Sequence, residues 1–290
     1  NWDEARDAEL FDGIGTMNVA VVSQSAAGKN RTVDAAAGLL PTESLYVVKA
    51  ASPRTLIYND EDFRERVVIF AEADSIPDDG PGASAVRSLA EDDAMEYEVV
   101  ERDLKTSKWT ARRITKLGPT GLVTTSTKSL ANQLGTRVLE LALAEDDEQT
   151  RAVMRAHASR AQRAAPEPFD IVPLIAIQRW LAGSPVRQVQ VPFAYVLVEL
   201  VPAKAVQVRR DFRQLLTCIQ AIALLHQCQR ELVDGWVIAT VQDYAHAYDL
   251  LAPIFDSVAA DGLTPAVRAT VEAVQPGEEL TEALLGQRLR

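Results

Sequence analysis

A mixed α/β fold is predicted by this sequence: a three-layer domain on a parallel sheet, then a mainly helical part. Three observations carry that prediction. Between residues 17 and 143, short apolar runs alternate with helix-like patterns, the order expected of a parallel sheet with covering helices. The tetrad Val67-Val68-Ile69-Phe70 is apolar throughout, as a strand covered on both faces must be. Beyond Pro166-Glu167-Pro168 the apolar positions recur with the 3.6-residue spacing of helices.

The elements follow in order. Residues 1–16 form a polar lead-in, and 17–22 read as a buried strand. A loop of small residues comes next, then an Ala-rich helix over 32–40 that Pro41 stops. A second strand is expected at 45–48 and a short helix at 53–58; residues 61–66 lead into the apolar tetrad. Residues 83–90 read as a helix. Residues 96–102 and 109–116 carry β-branched and aromatic residues on either side of the polar stretch 103–108, which reads as a hairpin spanning about 96–117. A buried strand at 121–125 and the apolar segment 137–143 complete the sheet. Helices are expected at 149–164, 173–181, 210–230, 240–258 and 265–274. The chain thus divides into the lead-in, an α/β core over 17–165, a linker and helical part over 166–262, and a C-terminal segment from 263 to 290.

With 290 residues, 47% apolar and 24% charged, the chain can bury a full core. No apolar run approaches the roughly 18–20 residues of a membrane span. The acidic, polar start is not a signal peptide, and without an initiator Met it reads as part of a longer protein. Cys218 and Cys228 read as free thiols of a cytoplasmic protein, not as a disulfide or zinc framework. His157, His226 and His246 share no metal-ligand spacing. The net charge of −11 argues against a protein that coats nucleic acid everywhere. From residue 102 to 137, however, lysines and arginines meet a single acid, Asp103.

Two segments carry chemistry. Ser23-Gln24-Ser25-Ala26-Ala27-Gly28-Lys29-Asn30 fits the phosphate-loop pattern G-x-x-x-x-G-K-[ST] at Gly28-Lys29 and departs from it at Ser23 and Asn30. In that pattern the backbone from Ser25 to Arg31 cradles a phosphate, Lys29 reaches the β- and γ-phosphate oxygens, and the helix dipole faces the anion. The Asn30 side-chain oxygen can ligate magnesium in place of a hydroxyl. An ordinary Gly-Lys turn is the alternative. The second segment, 66–74, is an apolar strand whose carboxyl end holds Glu72 and Asp74; its alternative is a solvated acidic loop.

The order of phosphate loop, acidic strand end, hairpin, polar-ended strand and arginine resembles AAA+ ATPases. Within them it is most similar to helicases with a hairpin before the sensor strand: minichromosome-maintenance helicases and the helicase domains of phage and mobile-element primases. The runs SAAGKN, VVIFAEADSIPDDGP, GPTGLVTTSTKSL, GTRVLEL and QTRAVMRAHA carry the likeness, over most of residues 17–255. The resemblance implies ATP and Mg2+ as ligands and DNA unwinding or translocation in replication as the activity. It gives Glu72 the role of the glutamate that polarises water, and puts Ala71 where a magnesium-linked aspartate belongs, with Asp74 near enough to compensate. Thr125 or Ser126 takes the sensor position. Arg137 takes that of the arginine finger, which acts on a neighbouring subunit and implies a homo-oligomeric ring. Arg213, or else Arg210, takes the arginine of a helical lid. The hairpin residues Lys105, Lys108, Trp109, Arg112, Arg113 and Lys116 are implied to grip single-stranded DNA, and a primase is an implied fused or associated partner. Residues 264–274 and 279–289 resemble the first two helices of a winged helix. Two other readings stand beside this one. Because Asn30 and Ala71 both fall at magnesium positions, the domain is alternatively a nucleotide-binding scaffold without turnover, or a DNA-binding regulator with a vestigial site.

Overall fold

A computed structural model describes residues 15–261 apart from 49–54, 72–79, 92–93, 103–108, 119, 129, 131, 136, 144–145, 164–166, 168 and 202–207. In chain order, the first half comprises β1 (Val19–Val22), α1 (Lys29–Ala37), β2 (Leu45–Val48), α2 (Thr55–Tyr58), β3 (Arg66–Phe70), α3 (Pro81–Glu91), β4 (Ala94–Arg102), β5 (Trp109–Leu117), β6 (Thr120–Ser126), α4 (Asn132–Gly135) and β7 (Leu139–Ala142). The second half comprises α5 (Asp147–Ala161), α6 (Val172–Gly183), β8 (Gln188–Gln190), α7 (Ala194–Leu200), α8 (Val208–Leu225), β9 (Leu232–Val233), β10 (Trp236–Ile238) and α9 (Val241–Asp261).

Five strands form a parallel sheet in the order β2-β3-β6-β1-β7, flanked by helices. Strand β3 explains why the tetrad has no polar position. Val68 and Phe70 join Leu122, Leu56, Ile57, Val86 and Leu89 in one core, on the side of α2 and α3. Val67 and Ile69 join Val21, Val123 and Val33 in another, on the side of α1. Alternate side chains thus serve opposite faces, and both faces are covered. Asn18 ties three strands together: its Oδ1 accepts from the Leu122 amide at 2.9 Å and its carbonyl accepts from the Leu139 amide at 2.7 Å.

The chain leaves β1 toward β2 and leaves β6 toward β7, so connections from these two neighbours run in opposite directions. Open α/β sheets leave a ligand crevice at such a reversal, outside the carboxyl ends of the strands.

Strands β4 and β5 form the expected antiparallel hairpin, in register from Ala94–Leu117 to Arg102–Trp109. Met95 is buried at its base, and Tyr97 and Ile114 pack on the α2–α3 core.

The second half packs on the other end of the sheet. Cys218, Ile219, Ala247 and Leu251 share a core with Met17 and Leu139, which lie at the amino-terminal ends of β1 and β7. Arg187 pairs with Glu65, immediately before β3. The sequence shows only helices here, but β8, β10 and β9 form a small sheet in that order. Asp234 and Gly235 turn the β9–β10 hairpin with φ of 50° and 84°, the backbone that an Asp-Gly pair favours. Arg230 and Asp243, 8% and 0% exposed in their side chains, form an ion pair at 2.6 Å. Asp243 also accepts from the Thr240 amide at 2.8 Å and hydroxyl at 3.0 Å, and so caps α9. The lead-in up to residue 14 and the segment resembling a winged helix lie outside the described residues. No helix among the described residues is long and apolar enough to cross a membrane.

Candidate functional site

The loop from Ser23 to Gly28 leaves the carboxyl end of β1, beside the reversal of connections. Its first residue is held by the neighbouring strand, because the Ser23 amide donates to the Ser126 carbonyl at 3.2 Å. Ala26 and Gly28 are left-handed, with φ of 72° and 94°, and Ala27 between them is not. Such alternation turns successive amides toward a common point and makes anion-binding concavities. For Ala26 it costs roughly 1–2 kcal/mol relative to the right-handed region. Gly28 stands at the N-cap of α1, where no side chain caps the helix and no acid occupies the first turn. The first amides and the positive end of the dipole are thereby left for an external anion.

The Lys29 ammonium folds back over this loop and donates to the carbonyls of Ser23 at 2.6 Å and Gln24 at 2.7 Å. Ser25, Ala26, Asn30 and Arg31 are exposed, so the loop opens to solvent.

Beside the loop, β6 ends in three buried hydroxyl residues: Thr124, Thr125 and Ser126. Thr124 donates to the Phe70 carbonyl at 2.6 Å and thus ties β6 to β3. The Ser126 hydroxyl closes the turn after β6, donating to the Lys128 carbonyl at 2.5 Å and accepting from the Lys128 amide at 3.1 Å. Thr125 alternates onto the face of Val123 and, by register with Val21, onto the face that α1 covers. Of the two sensor candidates, Thr125 therefore shares the side of the loop helix. Ala71 is half-buried at the carboxyl end of β3, where its amide donates to the Val48 carbonyl at 3.0 Å. Two strand spacings, about 10 Å, separate that end from β1. Glu72 and Asp74 lie outside the described residues.

The structure places the two arginines elsewhere. Arg137 is half-buried just before β7, at the amino-terminal edge. By strand rise it stands roughly 17 Å from the carboxyl edge that carries its own chain's loop. Arg213 lines a cavity of about 300 Å³ with Gly15, Val191, Ala194, Leu216, Thr217 and Gln220. That cavity adjoins the approach to β1, at the opposite end of the strand from the loop. Arg210, on the same helix, is exposed.

The hairpin is less cationic than its sequence implies. Arg113 bridges across the strands to Glu98 at 2.9 Å and to Glu96 at 3.6 Å. Glu96, Glu98 and Glu101 on β4 offset Arg102, Arg112 and Arg113 in charge. Lys116 is a correction to the expected DNA-contacting set. Only 9% exposed, it points inward under the hairpin. Its ammonium donates to the Asn59 carbonyl, to Asn59 Oδ1 at 3.0 Å and to the Glu61 carbonyl at 2.8 Å, and it lies 5.5 Å from the centre of the Phe63 ring. Its period explains this, since Lys116 shares the face of Ile114 and pairs with buried Met95. Lys116→Met is expected to lower stability by about 1.5–3 kcal/mol in urea unfolding while leaving nucleic-acid affinity unchanged. Trp109 is 71% exposed at the outer end of β5, and Arg112 is exposed on the opposite face. Lys105 and Lys108 lie outside the described residues.

Among the described residues, no group of three or more His, Cys, Asp and Glu is placed to hold a metal ion. No protein-family model matches the chain, and no curated protein is significantly similar to it.

Proposed function

We propose that the chain is an ATP-binding and ATP-hydrolysing module of a DNA helicase or translocase, of the kind joined to primases. The uncapped start of α1, with left-handed Ala26 and Gly28 before it and Lys29 folded over it, is the observation that carries the reading. An anion with several oxygens suits that arrangement. Phosphate oxygens would replace the Ser23 and Gln24 carbonyls as acceptors for Lys29, and the first amides of α1 would donate to the same groups. Magnesium, held mainly by the phosphates as is usual for this ion, finds an oxygen ligand in Asn30 and neutralises phosphate charge. Thr125, on the α1 side of β6, is positioned to orient a water, and Glu72, immediately after β3, is the base that takes its proton. The placement of Arg137 at the far edge of its own sheet supports action on a second copy, as in a ring. Trp109 and the hairpin tip would meet single-stranded DNA by stacking and charge.

A nucleotide-binding scaffold without turnover is the second reading, favoured by Asn30 and Ala71 at the two magnesium positions. ATP turnover by the 290-residue chain, with magnesium and with or without single-stranded DNA, separates the two. DNA-stimulated turnover that Glu72→Gln abolishes, with ATP binding retained, is the expected result. Binding without turnover would favour the scaffold. Salt-sensitive DNA binding without any nucleotide binding would overturn both in favour of a regulator.

A further inference from the structure

Helix α6 presents its apolar side to solvent. None of its residues is buried. Spaced on a helical repeat, Val172, Pro173, Ala176, Ile177 and Trp180 form one continuous exposed face. Val172 is 68% exposed, Trp180 49% and Ile177 42%, and Phe169 just ahead of the helix is 76% exposed. The two polar side chains are turned toward the body of the protein. Gln178 is half-buried, and Arg179 is paired with Glu43 at 2.8 Å. A surface helix of a free-standing domain has the reverse arrangement, and contiguous apolar patches of this kind mark interaction sites.

We propose that this face is a contact between two copies of the chain, with their α6 helices antiparallel about a two-fold axis near Ile177. The charges at its ends select that partner. Glu167 and Asp170 precede the helix and Arg187 follows it. Antiparallel packing sets the acidic end of one copy beside the basic end of the other and opposes the two helix dipoles. An anionic membrane surface would call for cations on both flanks, which α6 lacks. The helix has 12 residues, so it is about 18 Å long. Doubled by the axis and extended by Phe169 and Ile171, the contact reaches the roughly 1,000 Å² of total buried surface at which specific interfaces begin. This inference is independent of the ATPase reading, since Arg137 requires a different neighbour.

Sedimentation equilibrium of the whole chain over a range of concentrations is the test. A self-association whose dissociation constant rises about 30-fold or more in Ile177→Glu/Trp180→Glu is the expected result. Circular dichroism and the urea midpoint should stay unchanged in that variant, because both side chains are at the surface. A chain that is monomeric at every concentration would overturn the proposal, as would an assembly that the double variant leaves intact. So would a monomer that floats with vesicles of three parts phosphatidylcholine to one part phosphatidylserine.

Discussion

Nucleotide affinity is expected to fall by about 30- to 1,000-fold in Lys29→Ala, the range found when one partner of a desolvated, hydrogen-bonded charge pair is removed. Titration with a fluorescent ATP analogue would read it directly. A second effect separates the role in binding from the role in the free loop. In the absence of nucleotide, Lys29 donates to the carbonyls of Ser23 and Gln24. Losing those bonds should cost only about 1 kcal/mol, because the loop is open to water and the carbonyls can be rehydrated. The variant should therefore unfold at nearly the ordinary urea concentration yet fail to be stabilised by added ATP. An affinity equal to that of the parent chain would remove the phosphate site from this loop.

Asp243→Ala is expected to destabilise the protein by about 3–5 kcal/mol, measured by urea unfolding. The substitution strands the Arg230 guanidinium, only 8% exposed, and removes the cap from α9. The same pair makes stability depend on pH at the acid end. Burial alone would push the Asp243 carboxyl up, but the Arg230 fork and the two bonds from Thr240 outweigh it and hold the carboxyl below its usual range. A carboxylate depressed in the folded state contributes its full stability above its unfolded pKa of about 3.9. That contribution is lost as pH falls through the lower folded value. In Asp243→Ala this part of the acid sensitivity should vanish. Arg230, charged throughout, adds no slope of its own.

What the sequence made legible here, and what it hid, divides along a physical line. The apolar tetrad, the loop between strand and helix, and the hairpin were readable because each is a local pattern with a fixed period. Lys116 was misjudged because a count of charges ignores the alternation of a strand; its place two residues after Ile114 already put it on the inner face. The pairing of Arg113 with Glu96 and Glu98 required the strand register, which composition does not supply. Arg213 depends on which end of the sheet receives the helical half, a matter of long-range packing that no local window contains. The β9–β10 hairpin was present in the sequence as Val233-Asp234-Gly235-Trp236, a turn signal masked by strands of only two and three residues.

Strand β1, which carries the loop, has as its only neighbours β6 and β7. Its partners begin at Val123 and Leu139, far along the chain. On a ribosome the loop's strand therefore emerges early and waits unpaired until residue 142 has cleared the exit. Pairings of such long separation make folding slow. ATP, binding only the finished arrangement, would draw the late-forming state forward by mass action. Fragments ending before β7 should expose an unsatisfied strand edge and aggregate, whatever helices they contain.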